Sequence, residues 1–421
     1  MKRRILAWLT NEERMQRYPF LRRFFWKRGE IYRRLECLAT RMRQKELITV
    51  AFMALDLPCW KCDSVFRLMM QHPRFRSIIW IVPELQIKDA EERRRKLEEM
   101  RRQFADWGYP VADMYSLEQM RAEYAPDIVF LAKPYPGVTS WNAWNLDREL
   151  VCYVPYCYQN TCREDFLYGQ ENQVWRNFYA TKGVSRLAIS LMANGGCNVV
   201  TTGSPCADSF LLSKTDTQHS AWKQCASSMK KVIWAPHWTV VGDSFFSVST
   251  FLNVADGMLQ LAEKYADRVQ WAFKPHPLLR DTLYRHPDWG KERTDAYYDR
   301  WESMPNTQLE TGAYVELFKQ SDAMVHDSGS FIMEYLLVDK PCMYLQTGAG
   351  YARFNEDTLQ ALACYQKGST VEEIEHFLLG LIHNAPDSMA RARTRYMKQY
   401  LLPPGGCSAA QNIINSILNG R

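Results

Sequence analysis

The sequence predicts an α/β protein built as two doubly wound, Rossmann-like domains with parallel sheets. Three observations carry that expectation. Short apolar, β-branched and aromatic runs alternate with amphipathic stretches along most of the chain. Many of those runs stop abruptly at Pro, Gly or Ser turns, as strands do at a sheet edge. At 421 residues the chain is long enough for two complete cores.

Composition narrows the class. Apolar residues make up 47% and charged residues 24%, ordinary for a globular protein. No apolar run approaches the roughly 20 residues that span a bilayer. The N-terminus is Arg-rich and lacks a secretory apolar region and cleavage site, so a cytoplasmic location is expected. The 12 cysteines are irregularly spaced and are expected as reduced thiols. The charge is uneven. Residues 1–45 hold 14 Lys/Arg against 4 Asp/Glu, whereas the remainder holds 39 against 43. Large apolar residues interleave with that basic excess, including Trp8, Phe20, Phe24, Trp26, Ile31 and Tyr32. The pattern suits a peripheral helix on an anionic membrane surface, at about 1 kcal/mol per basic residue. A helix packed on its own domain is the plainer alternative. No nucleic-acid motif accompanies the charge, and no nucleic-acid partner is expected.

In chain order, residues 46–215 read as the first domain. Strands are expected at Leu47–Leu55, Ser77–Pro83, Ile128–Ala132, Glu149–Pro155 and Val199–Thr202. A charged helix is expected over Asp89–Trp107, and a loop over Lys133–Gly137. Cys59-x-x-Cys62 lacks a second pair, and Cys152, Cys157 and Cys162 lie five apart, so packing is the expected role and no metal site is assigned. Residues 212–228 read as a linker. The second domain, 216–400, has strands at Lys231–Trp234, Val269–Lys274, Ala323–His326 and Cys342–Leu345, and helices at Phe251–Tyr265, Ala313–Gln320 and Val371–Leu381. Residues 280–305 have few periodic apolar positions and read as an irregular insertion. Residues 401–421 read as a Gly-rich turn and a Ser-capped final helix.

The chemistry concentrates between Val269 and Leu345. The run Val269–Lys274 ends in Pro275-His276-Pro277, where two fixed φ angles hold an imidazole at a strand's carboxyl end. Ala323–His326 is followed by Asp327-Ser328-Gly329-Ser330 and then an apolar helical stretch over 331–337. Hydroxyls and amides at such a turn make an anion site. An imidazole and an anion cradle on one sheet edge point to a phosphorylated or nucleotide-activated substrate.

Four stretches in this region resemble the CDP-glycerol glycerophosphotransferase family of teichoic-acid polymerases. They are Thr202–Asp208, Ile233-Trp234-Ala235-Pro236-His237-Trp238, Lys274-Pro275-His276-Pro277, and Ser321–Tyr344 with Lys340-Pro341. The resemblance implies a GT-B fold, with two parallel sheets facing across a cleft, and an N-terminal acceptor domain. It also implies attack of an acceptor hydroxyl on the glycerol-bearing phosphate of a CDP-activated donor. No resident cofactor is implied, and no Asp-x-Asp metal motif is present. Implied partners are the nucleotide-activated donor, a polymer or lipid-linked acceptor, and the inner face of the membrane. The family's Trp-His-Gly-Thr-Pro motif is replaced by Tyr153-Val154-Pro155-Tyr156-Cys157, without its histidine. His276, His237 and His326 are therefore the candidate catalytic residues, His237 being the better base if it lies across the cleft from His276. Lys274, Pro236, Asp327, Ser328, Gly329, Ser330 and Glu334 are the candidate donor-binding residues. Similar turns occur in sialyl- and Kdo-type capsule transferases, so a transferase using a CMP- or UDP-sugar stays open. The lost histidine keeps a non-catalytic scaffold open as well.

Overall fold

The computed structural model describes residues 30–113, 116–133, 138, 139, 141–143, 145–161, 170–212, 220–226, 228–240, 248–346 and 354–420. The chain divides into two compact units. Unit 1 is Met1–Gln159, Arg163–Asp208 and Pro403–Arg421; unit 2 is Asn160–Cys162 and Ser209–Leu402. The boundary expected at 215 and 216 thus falls at 208 and 209. The final helix, expected as a separate segment, belongs to unit 1. Residues 1–29, the Pro134–Gly137 loop, Cys162 and most of the expected linker lie outside the described residues.

Unit 1 begins with α1 (Glu30–Gln44) and continues through β1 (Ile48–Ala54), α2 (Asp63–Gln71), β2 (Phe75–Ile81), α3 (Ala90–Asp106), β3 (Val111–Asp113), α4 (Leu117–Glu123), β4 (Ile128–Leu131), β5 (Leu150–Tyr153), β6 (Arg176–Tyr179), α5 (Lys182–Leu191), β7 (Val199–Thr201) and α6 (Pro205–Leu211). Its strands pair in parallel in the order β3-β2-β1-β4-β5-β6-β7. The middle strands β4 and β5 are buried throughout, as a sheet covered on both faces requires. The charged helix α3 forms where expected. Asp89 caps it by accepting the Glu92 N–H, and Glu91 and Glu92 complement the positive end of its dipole.

The amphipathic stripe of α1 has a different use from the one expected of residues 1–45. Leu35, Ala39 and Met42 are buried in the unit 1 core, and Arg43 Nε donates to the Ile417 carbonyl at 3.2 Å. Each large apolar side chain so buried contributes about 1.5–3 kcal/mol. Transfer of this face to a bilayer would forfeit that packing. Residues 30–44 are therefore a packed helix, which corrects the membrane reading for this part of the segment.

The expected Gly203–Asp208 motif anchors the end of the chain. Asp208 accepts the N–H groups of Ala409 and Ala410 at 2.8 and 2.9 Å and the Ser64 hydroxyl at 2.9 Å. It thereby serves the N-terminus of the last helix, Ala409–Asn419, which Ser408 also caps. Gly203 has φ +87°, and a Cβ there would lie 2.7 Å from Pro403, so glycine is required on two grounds.

Unit 2 runs through β8 (Lys230–Ala235), α7 (Phe251–Lys264), β9 (Val269–Phe273), α8 (Leu279–Tyr284), α9 (Gly290–Ser303), β10 (Thr307–Leu309), α10 (Val315–Gln320), β11 (Ala323–His326), α11 (Phe331–Glu334), β12 (Cys342–Leu345), α12 (Glu356–Leu362), β13 (Gln366–Gly368), α13 (Val371–Ile382) and α14 (Ala390–Tyr396). The final helix of unit 1 follows as α15. The unit 2 strands are parallel in the order β10-β9-β8-β11-β12-β13. One sheet face carries Val232, Trp234, Trp271, Phe273, Val325 and Leu345 into an aromatic core with Phe251, Tyr297 and Trp301. Residues 280–305 are thus not irregular. Their apolar positions are aromatic and sparse, Tyr297, Tyr298 and Trp301, yet those three rings bury one face of α9. Large rings at few positions did the work that several aliphatics usually do.

Candidate active site

The order β9-β8-β11 decides which residues meet. With all three strands parallel, their carboxyl ends lie on one edge, and β8 stands between the two motif-bearing strands. The residues leaving that edge are Pro236 and His237 from β8, Lys274 to Pro277 from β9, and Asp327 to Ser330 from β11. Open α/β sheets place ligands at such an edge.

Backbone bonds lock the β8 and β9 ends together. The Lys274 N–H donates to the Trp234 carbonyl at 2.8 Å, and the His276 N–H to the Pro236 carbonyl at 3.0 Å. From the other side Asp327 reaches across. Its Oδ1 accepts the His237 N–H at 2.5 Å, and its Oδ2 accepts the N–H and the hydroxyl of Thr250 at 2.5 and 2.9 Å. Thr250 is the N-cap residue of α7, and its own side chain makes no cap. Asp327 therefore caps a helix from another strand and fastens the β8 loop at once. Burial pushes its carboxyl up to about 6, against the pull of these donors. Expected to touch the donor, this carboxylate is turned inward, with both oxygens occupied.

His276 and His237 stand side by side, their ring centres 5.1 Å apart and their planes at 63°. Both belong to unit 2, so His237 is not across a cleft from His276. The reason is strand order: their strands are neighbours. His276 Nδ1 accepts the Leu278 N–H at 3.1 Å. In the neutral ring the proton is thereby assigned to Nε2, which makes the outer nitrogen a donor. His237 Nδ1 lies 2.9 Å from Thr239 Oγ1. That hydroxyl already accepts the Val248 N–H at 3.2 Å and keeps one proton and one lone pair, so it serves either tautomer of His237. Burial lowers His276 to about 4; burial, and then the charge of His276, lowers His237 to about 3. Both rings are neutral at pH 7 when the site is empty.

His326 is a different case. It is 0% exposed, its Nδ1 lies 3.1 Å from the Ser328 carbonyl, and Tyr344 and Tyr365 pack edge-on around it. A carbonyl only accepts, so Nδ1 carries the proton. Burial lowers its pKa to about 3. A ring sealed in this way has no route to a substrate proton. This corrects the expectation of a base; the residue shapes the turn that follows it.

Ser328, Gly329 and Ser330 form that turn, with Ser328 buried and the other two half-buried. The helix expected over 331–337 is a short α11 continuing as a 3-10 turn over Tyr335–Val338. Ser330 is already helical in φ and ψ and makes no side-chain cap. Glu334 and Lys274 are buried and reach one ring between them. The Tyr314 hydroxyl donates to Glu334, and Lys274 Nζ sits 5.4 Å from the Tyr314 ring centre while donating to the Gly312 carbonyl at 2.8 Å. Thr239, Thr250 and Tyr314 have no motif signal of their own. Thr250, one residue before the first apolar position of α7, was legible as a helix start.

The titrations have a net sign. The histidines bind fewer protons folded than unfolded between pH 6.5 and about 4, so stability falls as pH falls through that window. Asp327 opposes this, because its raised pKa contributes stability at low pH that is lost as pH rises through about 6. Three groups outweigh one. The apparent Tm of unit 2 should therefore drop between pH 7 and pH 5. His326→Asn keeps an N–H near the Nδ1 position and removes one titrating ring, so its drop should be shallower. An equal or steeper drop in that variant would contradict the assignment.

The family model described as CDP-Glycerol:Poly(glycerophosphate) glycerophosphotransferase matches residues 157–419. No curated protein matches the chain. Among solved structures, a variant of the wall teichoic acid polymerase TagF superposes with TM-score 0.59 at 12% identity, covering 95% of this chain and 97% of that one. The UDP-GlcNAc 2-epimerase from Neisseria meningitidis bound to UDP-GlcNAc gives 0.57 at 15% identity, over 89% of this chain and 100% of that one. The S. aureus MnaA-UDP co-structure gives 0.57 at 14%, over 88% and 96%. At these identities the likeness shows the fold, which is GT-B.

Proposed function

This chain belongs to the CDP-glycerol:poly(glycerophosphate) glycerophosphotransferase family, a family of transferases, and from that premise we propose that unit 2 binds a CDP-activated glycerol donor. The enzyme is glycerophosphotransferase-like and acts on a cell-wall polymer; the donor and the residue roles are the proposal. An acceptor hydroxyl attacks the glycerol-bearing phosphorus. A new P–O bond forms, the P–O bond to the cytidine phosphate breaks, CMP leaves, and the hydroxyl proton passes to a base. The observation that carries this reading is the shared edge: His276 and the Ser328–Ser330 turn leave the same edge of one sheet, from the two strands that flank β8. Negative charge develops on the phosphates during transfer, and prepositioned donors stabilise it. His276 donates to the leaving side. His237, with its tautomer unrestricted, takes the acceptor proton. Ser328, Ser330 and the Gly329 amide hold phosphate oxygens. Glu334 and Lys274 support the donor through Tyr314. No resident cofactor is proposed, and turnover undiminished by chelator is the expected check.

A thermal-shift panel of CDP-glycerol, CMP, CMP-sugars and UDP-sugars tests the donor. Stabilisation by cytidine nucleotides with glycerophosphate transfer is expected. Response to UDP-sugars alone would replace this reading by a sugar transferase, which the epimerase-like fold also accommodates. Ser330→Ala should slow transfer by about 10²-fold without lowering Tm.

Peripheral attachment to the inner membrane face is proposed for residues 1–29, where the basic and aromatic residues that precede α1 lie. Among the described residues no helix is long and apolar enough to cross a membrane. Because α1 packs on unit 1, the informative deletion removes 1–29 only. It should release the protein from anionic vesicles while nucleotide binding persists. Vesicle binding that survives the deletion would refute the attachment.

A further inference from the structure

Three residues from the first half of the sequence belong to unit 2. They are Asn160–Cys162, bracketed on both sides by unit 1 residues. The excursion is well fastened. The Asn160 carbonyl accepts the Asn355 N–H at 2.9 Å, and Thr161 bridges antiparallel to Phe354. Asn355 in turn caps α12 by accepting the Thr358 N–H at 2.9 Å, and Thr161, Phe354 and Asn355 are buried. This leaves the Asn160 side chain against the turn after β11, where its Nδ2 donates to the Gly329 carbonyl at 2.6 Å. A carbonyl only accepts, so the amide nitrogen must be the end that faces it.

Two successive carbonyls of the turn are thus held by side-chain N–H groups, Ser328 by His326 and Gly329 by Asn160, whose 2.6 Å bond is shorter than the 3.3 Å one that the same carbonyl accepts from the Ile332 N–H. The chain has no cis peptide among its described residues. In a planar trans peptide the C=O of one residue and the N–H of the next point in opposite directions. Holding the Ser328 carbonyl therefore turns the Gly329 N–H the other way, and holding the Gly329 carbonyl does the same for the Ser330 N–H. Neither amide has a hydrogen-bond partner among the described residues. The result is two adjacent N–H groups turned from the carbonyls' partners, beside the Ser330 hydroxyl, which makes no cap of its own helix.

We infer that Asn160 is a positioning residue for transfer: its bond to the Gly329 carbonyl aims the Ser330 amide at a phosphate oxygen of the donor. This rests on the reading that the 328–330 turn takes phosphate. Asn160 touches no reacting atom in this role. A segment that continues from β5 of unit 1 thereby sets the electrostatics of a turn about 170 residues later.

The test compares CDP with cytidine by calorimetry, in the full chain and in Asn160→Ala and Asn160→Asp. CDP carries the phosphates and cytidine does not. The wild type should bind CDP. Asn160→Ala should weaken CDP about tenfold, the net worth of one hydrogen bond, leave cytidine nearly unchanged and lower the ligand-free Tm by no more than a few degrees. Asn160→Asp keeps the side chain's size without its donor, and should lose CDP affinity at least as far. Equal CDP affinity in the wild type and Asn160→Ala would overturn the inference while leaving the donor reading intact. An equal loss for cytidine and CDP would also overturn it, since a loosened fold rather than an aimed amide would then be responsible. A wild type indifferent to CDP would sink the donor reading, and the positioning role with it.

Discussion

Replacing His276 by alanine should lower kcat/KM by about 10²–10⁴-fold, the usual contribution of a positioned proton donor or acceptor. The fold should survive. His276 is half-buried, and among the described residues its ring has one hydrogen-bond partner, the Leu278 N–H. One such hydrogen bond contributes about 1 kcal/mol net, so Tm should move by only a few degrees. Two further variants separate the roles. Asn places its oxygen near Nδ1, keeps the Leu278 contact and removes the outer N–H; it should be as inactive as alanine. Gln extends an N–H toward the Nε2 position without a titratable group. Recovery in Gln would identify a hydrogen-bond donor, and no recovery would identify proton transfer. Undiminished turnover in His276→Ala would remove the residue from the site altogether.

Asp327→Ala should do the opposite: it should damage stability first. The carboxylate is 1% exposed and accepts three donors, the N–H groups of His237 and Thr250 and the Thr250 hydroxyl. Each buried donor left without a partner costs about 1–3 kcal/mol. Their sum is about 3–9 kcal/mol, a large share of the 5–15 kcal/mol that holds a typical domain together. For a unit of this size the apparent Tm should fall by roughly 10–30 °C, read by calorimetry. The same change frees the β8 loop bearing His237 and the N-terminus of α7, so activity measured below the transition should fall too. Asp327→Asn offers one oxygen but turns an N–H against a donor, and should lie between. A Tm within about 2 °C of wild type for Asp327→Ala would show that the brace carries no load.

The comparison of these two residues shows how much of the site was legible. His276 was singled out by two prolines that stop a strand and by the Lys-Pro-His-Pro stretch that carries the family resemblance. That is local information, and it was sufficient for its placement. Asp327 was singled out by the same kind of signal, yet its use differs from the one expected. Its partners come from residues 237 and 250, and no local pattern announces that a carboxylate will cap a helix from a different strand. His326 shows the same limit. Its position at a strand end suggested access to solvent, but alternation along β11 turns it to the sheet face where Tyr344 and Tyr365 close over it. Asn160 had no signal at all, because its partner is Gly329.

By itself the sequence determined the α/β class, most strands, the family and the motif that bears His276. These depend on periodicity, turn chemistry and residues adjacent in the chain, which act over a few bonds. Only the tertiary structure decided that α1 packs on unit 1, that the rings of α9 fill a core, and that His237 sits beside His276. It also decided that Asn160 and Asp327 brace the site from a distance. Such contacts follow from strand order and chain crossings, and they form because buried polar groups must find a partner wherever in the sequence it lies.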